Sequence, residues 1–343
     1  MHDDLNDRAQ QLLKALIEKH IADGQPVGSK TLVKDSALSL SPATVRNVLA
    51  ELEEKGFLSS PHHSAGRVPT ALGYRFFVDS LLKIKPLNPE TVAAFEKQLP
   101  SKQSSQELIN SASSLLSTLT HMVGVVTLPN QSHFLLSHIE FLPLTKQRVL
   151  AILVFNNKEV QNRIIETERD YSREELTQLG NYLNEHYFGY DFSTVRKHIY
   201  EAMRIDKDKM NDLMQQAINI ADKVFLDAAP EKDYVVAGQN NLIRMTPNPN
   251  LDHLAKLFSA FTQKQELLDL LARCLNTQGI QIFIGAESHY QAFGECSIIT
   301  SNYTIDDQPI GVLGIIGPTR MPYDKIIPIV DVTAKILSSA LNK

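Results

Sequence analysis

Arg46 and Asn47 are adjacent in the stretch SPATVRNVLAELEEKG, residues 41–56, and both side-chain types can recognise the edge of a nucleic-acid base. An arginine can donate two hydrogen bonds to guanine N7 and O6, and an asparagine can pair in the same way with adenine N6 and N7. Each such pair contributes about 1–3 kcal/mol of discrimination. Ala43 and the Thr44 methyl group could contact a thymine methyl group. These four residues predict a surface that reads DNA sequence.

Further residues around this stretch are predicted to contact DNA. They are Ser41 in the same stretch, Ser29, Lys30 and Thr31 before it, and His62, His63, Gly66 and Arg67 after it. The group before the stretch begins a helix, where free N–H groups favour a phosphate. Gly66 permits a tight turn and a close approach, and the basic residues near it can reach phosphate or the minor groove.

The distribution of charge supports this prediction. Residues 36–50 and 55–78 contain no Asp or Glu, and the acids between these windows are Glu51, Glu53 and Glu54. A surface that approaches phosphate excludes acids where contact occurs. The net charge of −5 over 343 residues argues against a wholly basic surface, but DNA binding needs only a local patch.

The elements that would position these residues read as three short helices followed by a strand, a turn and a strand. Apolar residues between Leu5 and Asp23 follow a helical period, and VGSKTLVKD predicts a short second helix. Ser41 caps the third helix, Pro42 occupies its first position and Gly56 ends it. This order is typical of a winged helix-turn-helix, whose third helix enters the major groove.

The third helix alone also has a simpler interpretation. Any capped amphipathic helix has a polar outer face, so Arg46 and Asn47 can be merely solvated. The order of the elements and the acid-free windows together favour DNA binding over this alternative.

The sequence offers little support for catalysis or for metal or cofactor binding. The sequence contains no GxSxG, HExxH, P-loop or GxGxxG pattern, and the adjacent His62 and His63 lack the spaced partners of a zinc site. We therefore expect no enzyme activity, no metal and no cofactor. Cys274 and Cys296 have no CxxC spacing and are predicted to be buried thiols in a reducing cytoplasm. No signal peptide or membrane span is expected, because the N-terminus is acidic and no apolar run is long enough.

The whole chain is predicted to be an α+β protein of several domains. Residues 1–84 form the DNA-binding domain and residues 85–104 a linker rich in Pro and Ser. Residues 105–170 and 266–343 form an α/β domain whose sheet is interrupted and then resumed, and residues 171–265 form a mainly helical insertion. Ser104 with Glu107, and Ser172 with Glu175, fit capping boxes, and a final helix is expected from about Tyr323 to Leu341.

Five segments resemble the HrcA family of heat-inducible transcription repressors. They are VGSKTL, SPATVRNVLAELEEKGFL, SAGRVPTALGYRFFVDSLL, IFIGAES and LGIIGPTRMPYDKIIPIVDVTAKIL. The resemblance implies an N-terminal winged helix, a GAF-like α/β domain and an inserted dimerisation domain. It implies a homodimer that binds double-stranded DNA at the CIRCE inverted repeat and represses chaperone operons, those of GroEL and DnaK. It also implies that the chaperonin GroEL keeps the repressor active.

The surface that joins the dimer is left open by the residues. The apolar side chains of the insertion are candidates, and they are Leu213, Met214, Ile218, Ile220, Val224 and Phe225. The alternative is that these residues only pack their own domain.

Three other functions compete with the operator-binding repressor. A ligand-responsive regulator would use the GAF-like domain as a small-molecule sensor, but no convergent polar set defines a pocket. An enzyme with an accessory winged helix would need a nucleophile–base pair or a metal cluster. A winged helix that binds protein instead of DNA predicts that a change of Arg46 or Asn47 leaves DNA binding intact.

Overall fold

A computed structural model of the chain describes most of its residues. The described ranges are 5–35, 40–61, 66–100, 104–129, 135–145, 147–155, 160–191, 194–195, 197–198, 216, 219–221, 223–224, 234–241, 265–275, 277 and 279–342. The chain divides into two compact units. One consists of Met1–Leu128 with Tyr234–Lys343, and the other is Pro129–Asp233.

The first unit begins with three helices and a small antiparallel sheet. Their bounds are α1 Asp7–Asp23, α2 Ser29–Asp35, α3 Pro42–Glu54, β1 Leu58–Ser59 and β2 Val68–Pro69. Asn6 caps α1 by accepting a hydrogen bond from the Ala9 amide, and Gly24 ends it in the left-handed conformation at φ 70°. The structure therefore shows the predicted order of three helices followed by two paired strands, and residues 62–65 between the strands lie outside the described residues.

A run of helices connects this part to a larger sheet. The helices are α4 Ala71–Phe76, continued by a π-helical turn Phe77–Leu81, then α5 Pro89–Gln98 and α6 Ser105–Thr120. Helix α5 lies inside the segment predicted as a linker, because Asn88 caps it and Pro89 occupies its first turn. Phe95 of α5 is buried in the same core as α6. The capping box of Ser104 and Glu107 at α6 is confirmed.

Five antiparallel strands form the larger sheet. The strands are β3 Val123–Thr127, β7 Tyr234–Ala237, β8 Gln281–Ile284, β9 Cys296–Ile305 and β10 Gln308–Pro318, in the order β7-β3-β10-β9-β8. Two further helices belong to this unit, α8 Gln265–Leu275 and α9 Tyr323–Leu341. Leu313 and Ile315 of β10 face the core shared with α6 and α9, whereas Val312 and Ile316 face the core shared with α8. The sheet therefore lies between two layers of helix, as alternation along a strand requires.

The second unit has a separate sheet of three antiparallel strands and a long helix. They are β4 Leu136–Thr145, β5 Arg148–Phe155, β6 Val160–Glu166 and α7 Arg173–Tyr187. Leu176, Leu179 and Leu183 of α7 are buried in one cluster with alternate residues of β5. The capping box of Ser172 and Glu175 is confirmed. Hydrogen bonds to the Glu175 carboxylate, of which that from the Ser172 amide has the largest effect, lower the pKa of Glu175 to about 2.

One expectation about the sheet is wrong. The interrupted sheet pattern predicts that the strands of residues 136–166 join the C-terminal strands in one sheet. Among the early strands that the structure describes, only β3 joins that sheet. Strands β4, β5 and β6 pair with one another instead. Strand patterns identify strands without identifying the sheet to which each belongs, because all these strands are apolar on at least one face.

The helical segment before β7 is described only in part. Leu213, Met214, Ile218 and Phe225 of the predicted dimer surface lie outside the described residues. Ile220 and Val224 are buried in the core of the second unit. These two therefore pack their own domain, as the alternative interpretation expects. Within the described part of the chain, no helix combines the length and the apolar character needed to cross a membrane.

Candidate nucleic-acid interface

The inner side of α3 fixes which of its residues face outwards. Val45, Leu49 and Leu52 are buried against α1 and α2 and recur at helical spacing. Burial of this stripe directs Ala43, Arg46 and Asn47 to the solvent, where all three are exposed. We call these three residues the reading face of α3, and the described residues from 5 to 76 that carry it the head.

The start of α3 is held by hydroxyl groups that sequence reasoning assigned to DNA. The Ser41 hydroxyl accepts a hydrogen bond from the Thr44 amide at 3.1 Å, and a second bond of 2.9 Å joins it to the Thr44 hydroxyl. Ser41 is therefore the N-cap, as predicted, and Thr44 is half-buried beside it. Contact of either hydroxyl with DNA would compete with this pairing.

Arg46 and Asn47, unlike Ser41 and Thr44, are not engaged in capping the helix. Neither side chain makes a hydrogen bond or an ion pair with another described residue, and both lie within the first two turns of α3. The acids of α3 lie in its last turn, where Glu51 pairs with Lys55 at 3.0 Å and Glu53 with Arg67 at 2.8 Å. The N-terminal half of α3 is consequently free of competing carboxylates, which suits contact with a polyanion.

The preceding helix presents the second predicted group. Lys30 and Thr31 are exposed, and Ser29 is half-buried at the first position of α2. The backbone amide of Thr31 donates to Gly28 at 3.1 Å. Leu32 is buried and anchors α2 against α3, so the polar residues of α2 lie on its outer side.

The turn after α3 contains two described candidates with structural roles. A Cβ atom on Gly66 would lie 2.4 Å from the backbone carbon of Val27, so only glycine allows this approach. Arg67 exchanges backbone hydrogen bonds of 2.9 Å with Val27, and its guanidinium binds Glu53 and, at 3.2 Å, the Ser60 hydroxyl. His62 and His63 lie outside the described residues.

Arg75 corrects one inference from charge. It lies within residues 55–78, the second acid-free window of the sequence. The structure instead pairs its guanidinium with Glu287 and with the carbonyl oxygen of Ile282. Glu287 is 212 residues away along the chain, so no local window can reveal this pair. Asp79, four residues after Arg75 and just beyond the window, also accepts from Nη1 at 3.2 Å.

The described residues provide little for catalysis or small ligands. No group of three His, Cys, Asp or Glu among them is close enough together to hold a metal ion. A cavity of about 220 Å³ lies in the second unit between the β4–β5 turn and the loop before α7. It is smaller than the roughly 300–1,000 Å³ of ordinary ligand pockets. The carboxylate of Asp170 in its wall is bound by the Gln147 amide at 2.9 Å.

Comparison with known proteins places similar proteins in one family. The family model described as "HrcA protein C terminal domain" matches residues 106–327. The heat-inducible transcription repressor HrcA of Methylococcus capsulatus is 45% identical over 341 residues, which cover 99% of this chain and 97% of the relative. The protein of the same name from Methylobacillus flagellatus is 46% identical over 340 residues, which cover 98% and 99%.

One solved structure shares the fold. It is described as a hypothetical protein, and it aligns with a TM-score of 0.63 over 98% of each chain at 21% identity. At this identity the likeness concerns the fold alone.

Proposed function

This chain belongs to the HrcA family, and on that premise we propose that it represses transcription by placing the reading face of α3 in the major groove of an inverted-repeat operator. It is a transcription repressor of the heat-inducible class and not an enzyme. The head acts as a winged helix-turn-helix, in which α2 crosses the phosphates and α3 enters the groove by its N-terminus.

The observation that carries this proposal is the state of Arg46 and Asn47. Both are exposed, adjacent and unbonded to any described residue, at the N-terminal end of a capped helix. Two side chains able to bind base edges bidentately are therefore available without breaking a bond to any residue that the structure describes. Lys30 and Thr31, exposed on α2, supply contacts to phosphate.

The operator is proposed to be the CIRCE inverted repeat of the GroEL and DnaK operons, bound by a homodimer in the cytoplasm. A palindrome is read by a twofold symmetric pair of heads, with the recognition helices about 34 Å or a multiple of it apart. Joining two heads makes binding of the second half-site intramolecular and raises the overall affinity. The rest of the chain beyond the head acts as a GAF-like domain with an inserted dimerisation domain, and the chaperonin GroEL maintains the active form.

The experiment is a binding titration of full-length variants on an inverted-repeat operator and on a scrambled duplex. Arg46→Ala and Asn47→Ala are each expected to reduce the preference for the operator by about 1–3 kcal/mol, because each removes one bidentate base contact. Lys30→Ala is expected to weaken binding to both duplexes equally and to reduce the salt slope by about 1, because it removes a phosphate contact.

Arg173→Ala is the matched control, since Arg173 is an exposed arginine on α7 of the second unit. It should leave both affinities unchanged. Equal binding of the unsubstituted protein to operator and scrambled DNA would refute the proposal. Retention of full operator preference by both α3 variants would reject α3 as the reading helix and favour a head that binds protein.

A further inference from the structure

Arg75 of α4 is bound by three groups at once. Its Nε donates to Glu287 Oε1 at 3.0 Å, and its Nη2 pairs with the other oxygen of the same carboxylate. Nη2 also donates to the carbonyl oxygen of Ile282 at 2.5 Å, and Nη1 to Asp79 at 3.2 Å. A two-point pair between guanidinium and carboxylate fixes direction as well as distance, because both bonds hold only when the two planes align.

The acceptor of this pair is itself fixed to the larger sheet. Glu287 follows β8, and its Oε2 accepts a hydrogen bond of 2.8 Å from the backbone amide of Ile284. The side chains of Arg75 and Glu287 are only 22% and 36% exposed, so salt screens this pair less than a surface pair. The pair therefore ties α4 of the head to the end of β8.

A second attachment joins the head to the loop before α9. Nη1 of Arg320 donates to the carbonyl oxygen of Ile21, in the last turn of α1, at 3.1 Å. The same guanidinium lies against Gly24, where a Cβ atom would be 2.8 Å from Nη1. The rings of Tyr74 and Tyr323 also pack together, with centroids 6.1 Å apart.

We propose that Arg75, Glu287 and Arg320 are positioning residues for operator recognition. They hold the head in one orientation on the five-stranded sheet and thereby determine which separation of two half-sites the protein accepts. This inference rests on the proposed dimeric binding of an inverted repeat. The three residues act through the placement of α3 and make no contact with DNA.

The head keeps one orientation because it is bonded to the rest of the first unit at more than one place. Apolar packing of the junction is non-directional, whereas the directed bonds on two different helices, α4 and α1, fix the angle between the head and the sheet. A rigidly mounted head reaches the second half-site only at a matching separation, and it binds there without further loss of orientational freedom. A swivelling head tolerates other separations but binds the best one less tightly.

The test uses full-length protein and operators whose two half-sites are moved two base pairs closer or farther apart, which rotates one half-site by about 70°. The unsubstituted protein should lose at least about tenfold in affinity on the altered operators. Glu287→Gln and Arg320→Ala should each lose less than about threefold on the same operators, and should bind the best operator about three- to tenfold more weakly. Their affinity for a single half-site should stay within about twofold.

Asp331→Asn is the matched control, because it removes an ion pair of 2.6 Å with Lys335 that lies within α9 alone. It should keep the original spacer profile. A sharp profile in both Glu287→Gln and Arg320→Ala would overturn the inference, and so would an equal loss on the half-site and the full operator. If the unsubstituted protein fails to prefer an inverted repeat over scrambled DNA, the proposed function fails instead.

A distance measurement on the protein without DNA tests whether the head is held in one orientation on the sheet. Spin labels on Ala50→Cys in α3 and Ser339→Cys in α9 occupy exposed positions of the first unit. Cys274 and Cys296 do not compete for the label, because both are buried and burial raises the pKa of each thiol. The distance distribution should be narrow in the parent and broader after Glu287→Gln or Arg320→Ala. Equal widths in the parent and both variants would overturn the inference, whatever the DNA results.

Discussion

Two arginines of the head have opposite surroundings. Arg46 on α3 is exposed and bonds to no described residue, whereas Arg75 on α4 is bound to Glu287, to Asp79 and to a backbone carbonyl. A side chain that reads a ligand must keep its hydrogen-bonding groups available until the ligand arrives. A side chain that positions the reading face must have its own hydrogen-bonding groups already satisfied, because an unsatisfied group in a partly buried site destabilises the fold.

The same contrast extends to the apolar residues around each arginine. The reading face lies on a helix whose other side is buried, and the exposed apolar residues of α3 are Pro42, Ala43 and Ala50. Around Arg75, the residues Tyr74, Phe76 and Phe77 are almost fully buried in a core that continues into the sheet and α9. The junction between the head and the sheet is therefore part of the core, whereas the reading face lies on the surface.

The largest expected effect comes from the buried side of α4, within the core that continues into the sheet and α9. Phe76 is 1% exposed, and its ring meets that of Phe57 edge to face at 5.3 Å. Phe76→Ala should lower the free energy of unfolding by about 3–5 kcal/mol, because it removes buried surface and leaves a cavity. Unfolding of the full chain in urea measures this change.

The control for that change lies on the same helix. Leu72 is 44% exposed, and Leu72→Ala should change the free energy of unfolding by less than about 0.5 kcal/mol. Similar losses in the two variants would mean that α4 is not held by its buried side.

The next effect concerns the support of the reading face. Ser41→Ala removes the hydroxyl that accepts from the Thr44 amide, and it should lower the free energy of unfolding by about 0.5–2 kcal/mol. Ser41→Asp retains a capping oxygen and should recover this loss, since aspartate is an equally good N-cap. A negative charge beside DNA should nevertheless weaken operator binding. If Ser41→Ala leaves stability unchanged but weakens binding, the hydroxyl contacts DNA and is not a structural cap.

Local signals in the sequence were sufficient for much of the head. Ser41, Pro42 and the apolar stripe of Val45, Leu49 and Leu52 placed α3 and its outer face, because capping and helical period depend on residues only a few positions apart. The final helix was likewise predicted with the bounds Tyr323–Leu341 that the structure shows.

Contacts between distant parts of the chain were not accessible in the same way. The Arg75–Glu287 pair and the separation of the two sheets depend on tertiary packing, which no window of neighbouring residues contains. Helix α5 was missed although Asn88 and Pro89 form a recognisable start, because the nearby prolines favoured a linker. Arg67 shows the same limit, since its pairing with Glu53 requires the turn to fold back on α3.

The smallest expected effect is the loss of stability at acid pH that comes from protonation of one histidine in the head. His20 on α1 is hydrogen-bonded through Nδ1 to the Tyr74 hydroxyl at 2.8 Å. Burial, and then the positive charge of Arg320, lower its pKa below the ordinary value of 6.5. The unfolded chain therefore binds this proton more readily, so the stability that His20 contributes is complete above pH 6.5 and declines as the pH falls below it.

Urea unfolding at pH 7.5 and at pH 5.5 measures this decline. His20→Gln keeps a polar partner for Tyr74 but cannot be protonated, so its free energy of unfolding should fall less between the two pH values. His186 is an exposed histidine on α7, and His186→Gln should retain the full decline of the parent protein. Equal declines in the parent and in His20→Gln would show that protonation of this histidine does not weaken the junction. The contrast between an available reading face and a fully bonded junction would then rest on Arg75 and Arg320 alone.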